Sequence, residues 1–180
     1  AMTELFSTAP ALVALNQGAL KSERLTVVNA DALQWLEESE DYFDFVIIDF
    51  PDPSNFALGK LYTSAFYRLV EKRLSANGLL VVQSTSPLYA RQSFWCVVQT
   101  LESVGFRTAP YHAQVPSFGE WGYIIAGRHD FVPASIDATK TRYLTPETLP
   151  GLFAFPADMG RIPAEVNQLN NQVLVRYFES

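Results

Sequence analysis

The chain alternates short apolar runs with segments of helical periodicity. Three runs have the length of a β-strand: Leu25–Asn29, Asp44–Asp49 and Leu79–Ser84. The second and third are almost continuously apolar in their centres, which is typical of strands that are covered on both faces. Pro51 and Pro53 end the second run, because proline cannot donate a hydrogen bond to a neighbouring strand. The pattern therefore predicts buried strands of a parallel sheet.

Segments with helical spacing separate these runs. Phe94, Val97, Val98 and Leu101 recur at intervals of three and four residues and would form one core-facing stripe of a helix. Asp31 precedes another apolar helical segment and is its expected N-cap. Helices are predicted over residues 3–14, 30–36, 61–74 and 89–104, with short ones after Thr145 and after Pro163.

Strands that alternate with helices predict an α/β fold with a doubly wound, mostly parallel sheet. Two further strands, Phe106–Val115 and Trp121–Ala126, would close the sheet as an antiparallel pair. Beyond Arg128 prolines become frequent and the periodicity weakens. We therefore expect one domain over residues 1–128 and a C-terminal extension over residues 129–180 that packs on it.

Composition and charge narrow the possible functions. The chain has 180 residues, 48% of them apolar, which suits one domain with a substantial core. Its 13 lysines and arginines against 19 acidic residues give a net charge of −6, which argues against nucleic-acid binding. Cys96 is the single cysteine, so an internal disulfide is excluded and a cytoplasmic, reducing compartment is expected. With only two histidines besides, no Cys/His metal site is expected.

The nine glycines exclude several nucleotide and nucleophile motifs. The sequence contains no G-x-G-x-x-G, no G-x-x-x-x-G-K-[ST] and no G-x-S-x-G. A nucleotide-like ligand would therefore have to bind without these loops.

The most suggestive polar residues follow the second strand. Ligands of open α/β sheets bind beyond the carboxyl ends of the strands, and Asp49 and Asp52 lie there on a turn stiffened by Pro51 and Pro53. Two carboxylates could bind a diamine or another cation, since opposite unit charges 4 Å apart attract by about 4 kcal/mol at an effective dielectric of 20. One of them could also accept a proton. The alternative is an ordinary acidic turn.

Other candidates are less specific. Gln83 begins a polar run at the end of the third strand, and Tyr62 could flank a cation. Asp31 could bind a base rather than only cap a helix. The alternatives are turn formation for Gln83, core packing for Tyr62 and helix capping for Asp31.

Several segments together resemble the spermidine synthase family of polyamine aminopropyltransferases. The resemblance runs in order from about Leu25 to Ala126, and the paired aspartates and a P-S-x-G-x-W-G motif are its most specific parts. The segments are Asn29–Ala32, Asp44–Pro53, Leu61–Tyr67, Leu80–Gln83 and Val115–Tyr123. Residues 142–156 resemble a bacterial branch of the family whose full chains carry membrane-spanning segments upstream.

The resemblance implies a methyltransferase-like Rossmann fold and a reaction. Decarboxylated S-adenosylmethionine would donate its aminopropyl group to an amine such as putrescine and leave methylthioadenosine, with no tightly bound cofactor. Asp49 matches the family's proton acceptor and Asp52 an acid that holds the substrate amine. Gln83 and Tyr62 match positions of the substrate wall. A homodimer is also expected.

The same resemblance implies that a different part of the sequence binds the adenine group of the co-substrate. Asp31 matches the residue that binds the adenine amino group, and Ala32 supplies the backbone beside it. The family's G-G-G-D-G loop and the acidic residue after its second strand are absent. The chain therefore resembles the carboxyl-terminal part of a longer enzyme, lacking the first two strands, and we expect it to be inactive in isolation.

Two further departures concern the substrate wall and the sheet edge. Val115 stands where the family often has tyrosine, and Phe50 and Pro51 replace small polar residues, so putrescine, cadaverine and spermidine all stay open as acceptors. Without the first two strands, the edge of the sheet at Val46 would be exposed. A non-standard strand order or strand exchange in a homodimer would cover it.

Two other functions remain open from the sequence. One is an S-adenosylmethionine-dependent methyltransferase of the same fold class, although methyl transfer needs no paired acids. The other is a non-catalytic binding or assembly module that retains the fold without donor binding.

Overall fold

The computed structural model describes residues 2–133, 137 and 139–179 and divides the chain into two units. The first unit comprises residues up to Trp35 and the second begins at Leu36. All four strands belong to the second unit.

The first unit begins with two short helices, α1 (Met2–Thr8) and α2 (Pro10–Leu15), followed by a 3₁₀ turn at Ala19–Lys21. The sequence predicted a single helix over residues 3–14. It is interrupted because Ala9, directly before Pro10, has an extended backbone (φ −71°, ψ 120°). The proline ring disfavours helical geometry in the residue before it, while proline itself is well suited to the first turn of a helix.

The predicted strand Leu25–Asn29 does not form. The segment has no strand assignment, and Leu25, Val27 and Val28 are 44%, 43% and 52% exposed. A strand is stabilised by hydrogen bonds to a neighbour, and none of the described strands pairs with this segment. The next helix, α3 (Ala32–Glu38), begins as predicted after Asp31.

The second unit is built on a four-stranded sheet of order β1-β2-β4-β3. β1 and β2 are parallel, whereas the β2–β4 and β3–β4 pairs are antiparallel. The strands are β1 (Phe43–Ile48), β2 (Leu74–Ser84), β3 (Arg107–Val115) and β4 (Gly119–Gly127). The predicted α/β class and the closing antiparallel pair are confirmed, and among these strands the parallel part is the β1–β2 pair.

Five described helices follow α3 in the chain. They are α4 (Phe56–Gly59), α5 (Ser64–Arg73), α6 (Arg91–Ser103), α7 (Leu149–Leu152) and α8 (Val173–Glu179), with a 3₁₀ turn at Lys60–Tyr62. Of these, α6 packs on one face of the sheet. The stripe predicted on α6 is confirmed, since Phe94, Val97, Val98 and Leu101 are all at most 1% exposed. Among the described residues, every helix is too short to span a lipid bilayer.

The C-terminal residues pack against α6 through specific hydrogen bonds. The Trp95 indole donates to the Met159 carbonyl at 3.0 Å, and the Cys96 thiol donates to the Glu165 carbonyl at 3.2 Å. Asn167 is fully buried and is bonded on three sides, to Thr100, to the Gly59 carbonyl and to the Leu174 amide. This part of the chain is therefore integral to the second unit.

The strand β1 lies at an open edge of the sheet, as the sequence predicted. It pairs with β2 on one side, and no described strand pairs with its other side. Phe45 and Ile47 are 55% and 68% exposed. The alternative of a rearranged order in this chain is wrong, because Leu25–Asn29 does not enter the sheet.

Candidate active site

Asp49 and Gln83 lie next to each other at the carboxyl ends of two parallel strands. Ile48 of β1 pairs with Val82 of β2, and Asp49 and Gln83 directly follow that pair. Both residues line a cavity of about 490 Å³. The sequence placed both at this edge of the sheet, and the structure brings them into one site.

Aromatic side chains from the β3–β4 hairpin line much of the cavity. The remaining lining residues are Ile47, Val81, Tyr111, Val115, Phe118, Trp121 and Tyr123. Phe118 and Trp121 contact each other with ring centroids 5.5 Å apart. A carboxylate facing several aromatic rings suits a cationic ligand with an apolar chain, because the rings attract cations and also bury methylene groups.

One row of side chains crosses the whole sheet on the cavity face. Gln83 of β2 pairs with Tyr123 of β4, which pairs with Tyr111 of β3. The tyrosine rings stack with centroids 5.1 Å apart and an interplanar angle of 18°. Together with Asp49 these residues form a continuous row from a carboxylate to a pair of tyrosines.

Gln83 links the acidic turn after β1 to the aromatic β3–β4 hairpin. In the orientation of its side-chain amide that satisfies both neighbours, the nitrogen donates to the Phe50 carbonyl at 3.2 Å. The amide oxygen then accepts a hydrogen bond from Trp121 Nε1. The acidic turn and the aromatic hairpin are thus fixed relative to each other.

Tyr62 supports the acidic turn from inside the protein. Its side chain is 2% exposed, and its hydroxyl donates to the carbonyls of Phe50 at 3.1 Å and Pro51 at 3.2 Å. Burial raises the pKa of Tyr62 well above its ordinary value, and the charges of Asp52 and Asp49 raise it further. The hydroxyl therefore stays protonated and acts as a donor to the backbone of the turn.

Asp52 occupies the same turn in a different environment. It is partly buried, and desolvation raises the pKa of its carboxyl group above the ordinary 3.8. Asp49 is exposed at the cavity. The two predicted acids thus lie on one turn, but only Asp49 is among the residues that line the cavity.

Asp31 and Ala32 belong to the first unit. The Asp31 carboxylate accepts hydrogen bonds from the backbone amides of Leu33 at 3.0 Å and Gln34 at 3.3 Å, so it caps α3. Ala32 lines a shallow groove of about 300 Å³ together with Thr26, Val28, Ala30 and Trp35. Their predicted role in adenine binding stays a prediction.

The sequence reasoning missed the tyrosine wall. Tyr111 and Tyr123 lie on opposing strands of a hairpin, and side chains alternate between the two faces of a strand. Once the register of the hairpin is known, this alternation places both on the face that carries Trp121. Among the described residues, no three His, Cys, Asp or Glu side chains converge to hold a metal ion.

Known proteins match this chain closely in sequence. A family model described as the spermine/spermidine synthase domain matches residues 10–134. Polyamine aminopropyltransferase 2 of Ralstonia nicotianae is 57% identical over 180 residues, covering 99% of this chain and 35% of the relative. Polyamine aminopropyltransferase of Leptospira interrogans is 49% identical, covering 99% of this chain and 36% of the relative. The chain thus spans about a third of the length of these relatives.

Solved structures agree with the fold. A crystal structure of spermidine synthase in complex with the transition-state analogue AdoDATO has a TM-score of 0.65 at 23% identity, covering 82% of this chain and 56% of that chain. Spermidine synthase from Thermotoga maritima has a TM-score of 0.62 at 20% identity, covering 82% of this chain and 54% of that chain. The predicted methyltransferase-like fold is confirmed by this likeness. The match to the family model over most of the sequence shows that the chain belongs to the spermine/spermidine synthase family.

Proposed function

We propose that this chain carries the amine-binding wall and the proton acceptor of a polyamine aminopropyltransferase. The observation that carries the proposal is the cavity at the ends of two parallel strands, which Asp49 lines together with several aromatic rings. The names of the relatives at 49% and 57% identity support it. The whole protein is about three times longer in those relatives, so the activity belongs to the full-length protein.

The proposed reaction is a displacement at carbon. The amine nitrogen attacks the methylene carbon beside the sulfonium of decarboxylated S-adenosylmethionine, and a C–N bond forms. The C–S bond breaks, and its electron pair remains on sulfur as the neutral thioether of methylthioadenosine. An amine with a pKa near 10 is mostly protonated at pH 7, so a proton must leave the nitrogen before attack. In this proposal Asp49 accepts that proton.

The other predicted residues take supporting roles in this proposal. Asp52 holds a second ammonium group of the substrate. Desolvation disfavours its ionised form and raises its pKa, and a bound cation would compensate for that loss of solvation. Gln83 and Tyr62 hold the turn that carries both acids. Asp31 and Ala32 bind the adenine group of the co-substrate.

The proposal extends to the domain organisation, the cellular location and the oligomeric state of the protein. We propose that residues 129–180 form an extension that packs on a domain over residues 1–128, and the hydrogen bonds from α6 to Met159 and Glu165 support this. We further propose a cytoplasmic homodimer whose contact with a membrane, where present, is made by segments outside this chain. The open edge of β1 is the surface available for strand exchange between two copies.

Product analysis of the full-length protein tests the function. The protein is incubated with decarboxylated S-adenosylmethionine and a panel of diamines and polyamines, and the products are analysed by mass spectrometry. We expect an amine heavier by one aminopropyl group, together with methylthioadenosine. In a parallel incubation with S-adenosylmethionine, a methylated product would indicate a methyltransferase. Absence of donor binding in the full-length protein, together with absence of any product, would indicate a non-catalytic module.

A further inference from the structure

Three consecutive residues near the C-terminus straddle the edge strand β3. Tyr111 and His112 are neighbours in β3, so their side chains point to opposite faces of the sheet. Phe153 contacts the Tyr111 ring on the cavity face, with centroids 5.8 Å apart. Phe155 contacts the His112 ring on the other face, with centroids 4.8 Å apart. Residues 153–155 therefore contact both faces of the strand.

The backbone between the two phenylalanines is fixed to the same strand. His112 Nε2 lies 2.9 Å from the Ala154 carbonyl oxygen, and His112 Nδ1 lies 2.5 Å from Glu120 Oε1. The side chains of His112 and Glu120 are only 14% and 20% exposed. On the helix face, Phe155 also packs on Phe94 and Trp95 of α6 at 5.9 and 5.4 Å. This anchoring leaves Phe153 little freedom to move away from Tyr111.

Phe153 thereby extends the row of side chains that ends at the acid. From the edge inwards the row runs Phe153, Tyr111, Tyr123, Gln83 and Asp49. Phe131 packs on the outer side of Phe153, with ring centroids 6.3 Å apart. Phe153 itself does not line the cavity, whereas Tyr111 and Tyr123 do. Any effect of Phe153 on a ligand must therefore pass through the two tyrosines.

The surroundings of the two tyrosines keep their hydroxyl groups protonated. Burial raises the pKa of both tyrosines, and the charge of Asp49 raises that of Tyr123 further. Both hydroxyls therefore stay neutral, and the ring faces are available to a cation and its methylene chain. The position of these rings sets how closely the wall approaches an amine that is bound at Asp49.

We infer that Phe153 is a positioning residue for the acceptor amine, acting through Tyr111 and Tyr123. This inference rests on the proposed function of the same cavity. The ring of Phe153 holds the tyrosine stack against the carbon chain of the amine, so it contributes to the affinity for the amine and to discrimination between amines of different length. It has no part in proton transfer, because Asp49 lies at the opposite end of the row.

Replacing Phe153 by leucine in the full-length protein tests this inference. We expect the KM for the amine to rise by about 3- to 10-fold, the range expected for loss of one aromatic pair. The kcat value and the KM for decarboxylated S-adenosylmethionine should change by less than about twofold, since neither depends on the tyrosine wall. The preference between putrescine and cadaverine should weaken. Phe153→Tyr keeps the ring and should restore the wild-type KM.

Phe155→Leu is the matched control, because it removes the same ring two residues away on the helix face of β3. It should lower the melting temperature and raise the KM for the amine by less than about twofold, because the contact between His112 and the Ala154 carbonyl still holds the segment that carries Phe153. An equal rise in KM for both variants, or no rise for Phe153→Leu, would overturn the inference. If Phe153→Leu does not fold, Phe153→Met gives the same comparison with a side chain of similar length.

Calorimetric titration separates this inference from the proposed function. The dissociation constant of putrescine is measured in the presence of methylthioadenosine, which requires no turnover. If the wild-type protein binds the amine in this titration but forms no product with decarboxylated S-adenosylmethionine, the proposed reaction fails while the comparison of Phe153→Leu with Phe155→Leu still decides the inference. An unchanged dissociation constant in Phe153→Leu would contradict it.

Discussion

Asp49 and Gln83 are adjacent across the β1–β2 pair because Ile48 pairs with Val82 and both strands run in the same direction. The proposed proton acceptor and the amide that braces its turn are thus fixed by strand register. Parallel strands bring their carboxyl ends to one edge of the sheet, where backbone groups are free of the ladder and side chains converge. The candidate site follows from this geometry together with the aromatic hairpin that faces it.

Loss of the Gln83 bridge should weaken both the fold and the site. Gln83→Leu leaves the Phe50 carbonyl and the Trp121 indole without their shared partner. We expect a loss of about 1–2 kcal/mol in the free energy of unfolding, measured by urea denaturation, because partly buried polar groups become unsatisfied. Gln114→Leu is the control, since Gln114 is exposed on β3. Equal stabilities of the two variants would contradict the bridge.

The Asp52 carboxylate should lower the stability of the fold while it contributes to turnover. Desolvation raises the pKa of its carboxyl group above 3.8, so the ionised group is disfavoured in the folded state. The unfolded state loses its proton first as pH rises, and the associated stability therefore falls with pH above about 3.8. Asp52→Asn should raise stability at pH 7 by less than about 1 kcal/mol and lower turnover in the full-length protein. A lower melting temperature at pH 7 would contradict this assignment.

The strands and the main helix could be predicted because their patterns are local. The apolar runs at 44–49 and 79–84 and the stripe on α6 depend only on residues near in sequence. The placement of Asp49 and Gln83 followed from the general rule for parallel sheets. Predicting these strands, this stripe and the position of the two site residues required no knowledge of long-range contacts.

The remaining features depend on partners that are distant in sequence. Leu25–Asn29 has the composition of a strand but no described partner, so composition alone was misleading. The Tyr111–Tyr123 stack requires the exact register of the hairpin. Phe153 meets Tyr111 only because residues 153–155 return to the edge of β3, and no local pattern encodes that contact.

The ion pair between Arg161 and Glu102 should make stability depend on pH. Arg161 Nη1 donates to Glu102 Oε1 at 2.9 Å and Nη2 to Oε2 at 2.5 Å, and these hydrogen bonds lower the pKa of Glu102 below 4.5. A depressed carboxyl pKa stabilises the fold above the unfolded value and loses that contribution as pH falls. Arg161→Met should therefore flatten the decline in stability between about pH 5 and pH 3.

Arg107→Met is the matched control for that measurement. Arg107 forms an exposed pair with Asp130 at 4.0 Å, and its side chain is 69% exposed. Exposed pairs of this kind contribute little to stability. Melting temperatures measured across this pH range should separate the two variants, and identical pH profiles would contradict the role of Arg161.

Gly122 should be intolerant of a side chain. A Cβ atom at this position would lie 2.7 Å from the Thr85 carbonyl oxygen and would also collide with the Phe94 ring. Because the backbone oxygen cannot move independently, Gly122→Ala should cost more than about 2 kcal/mol in the free energy of unfolding. Gly151→Ala is the control, since no heavy atom lies within 4 Å of its added Cβ. Similar denaturation midpoints would refute this packing argument.

The single-turnover rate of Asp49→Asn in the full-length protein tests the proton-acceptor role of Asp49. The control is Asp44→Asn, which removes the same charge within β1, the strand that Asp49 directly follows. Asp44 accepts a hydrogen bond from Ser75 at 2.7 Å and does not line the cavity. If Asp49 accepts the proton, its rate should fall by at least about 100-fold, while methylthioadenosine binding and the rate of Asp44→Asn stay within about twofold of wild type. A normal rate for Asp49→Asn would show that the proton goes elsewhere.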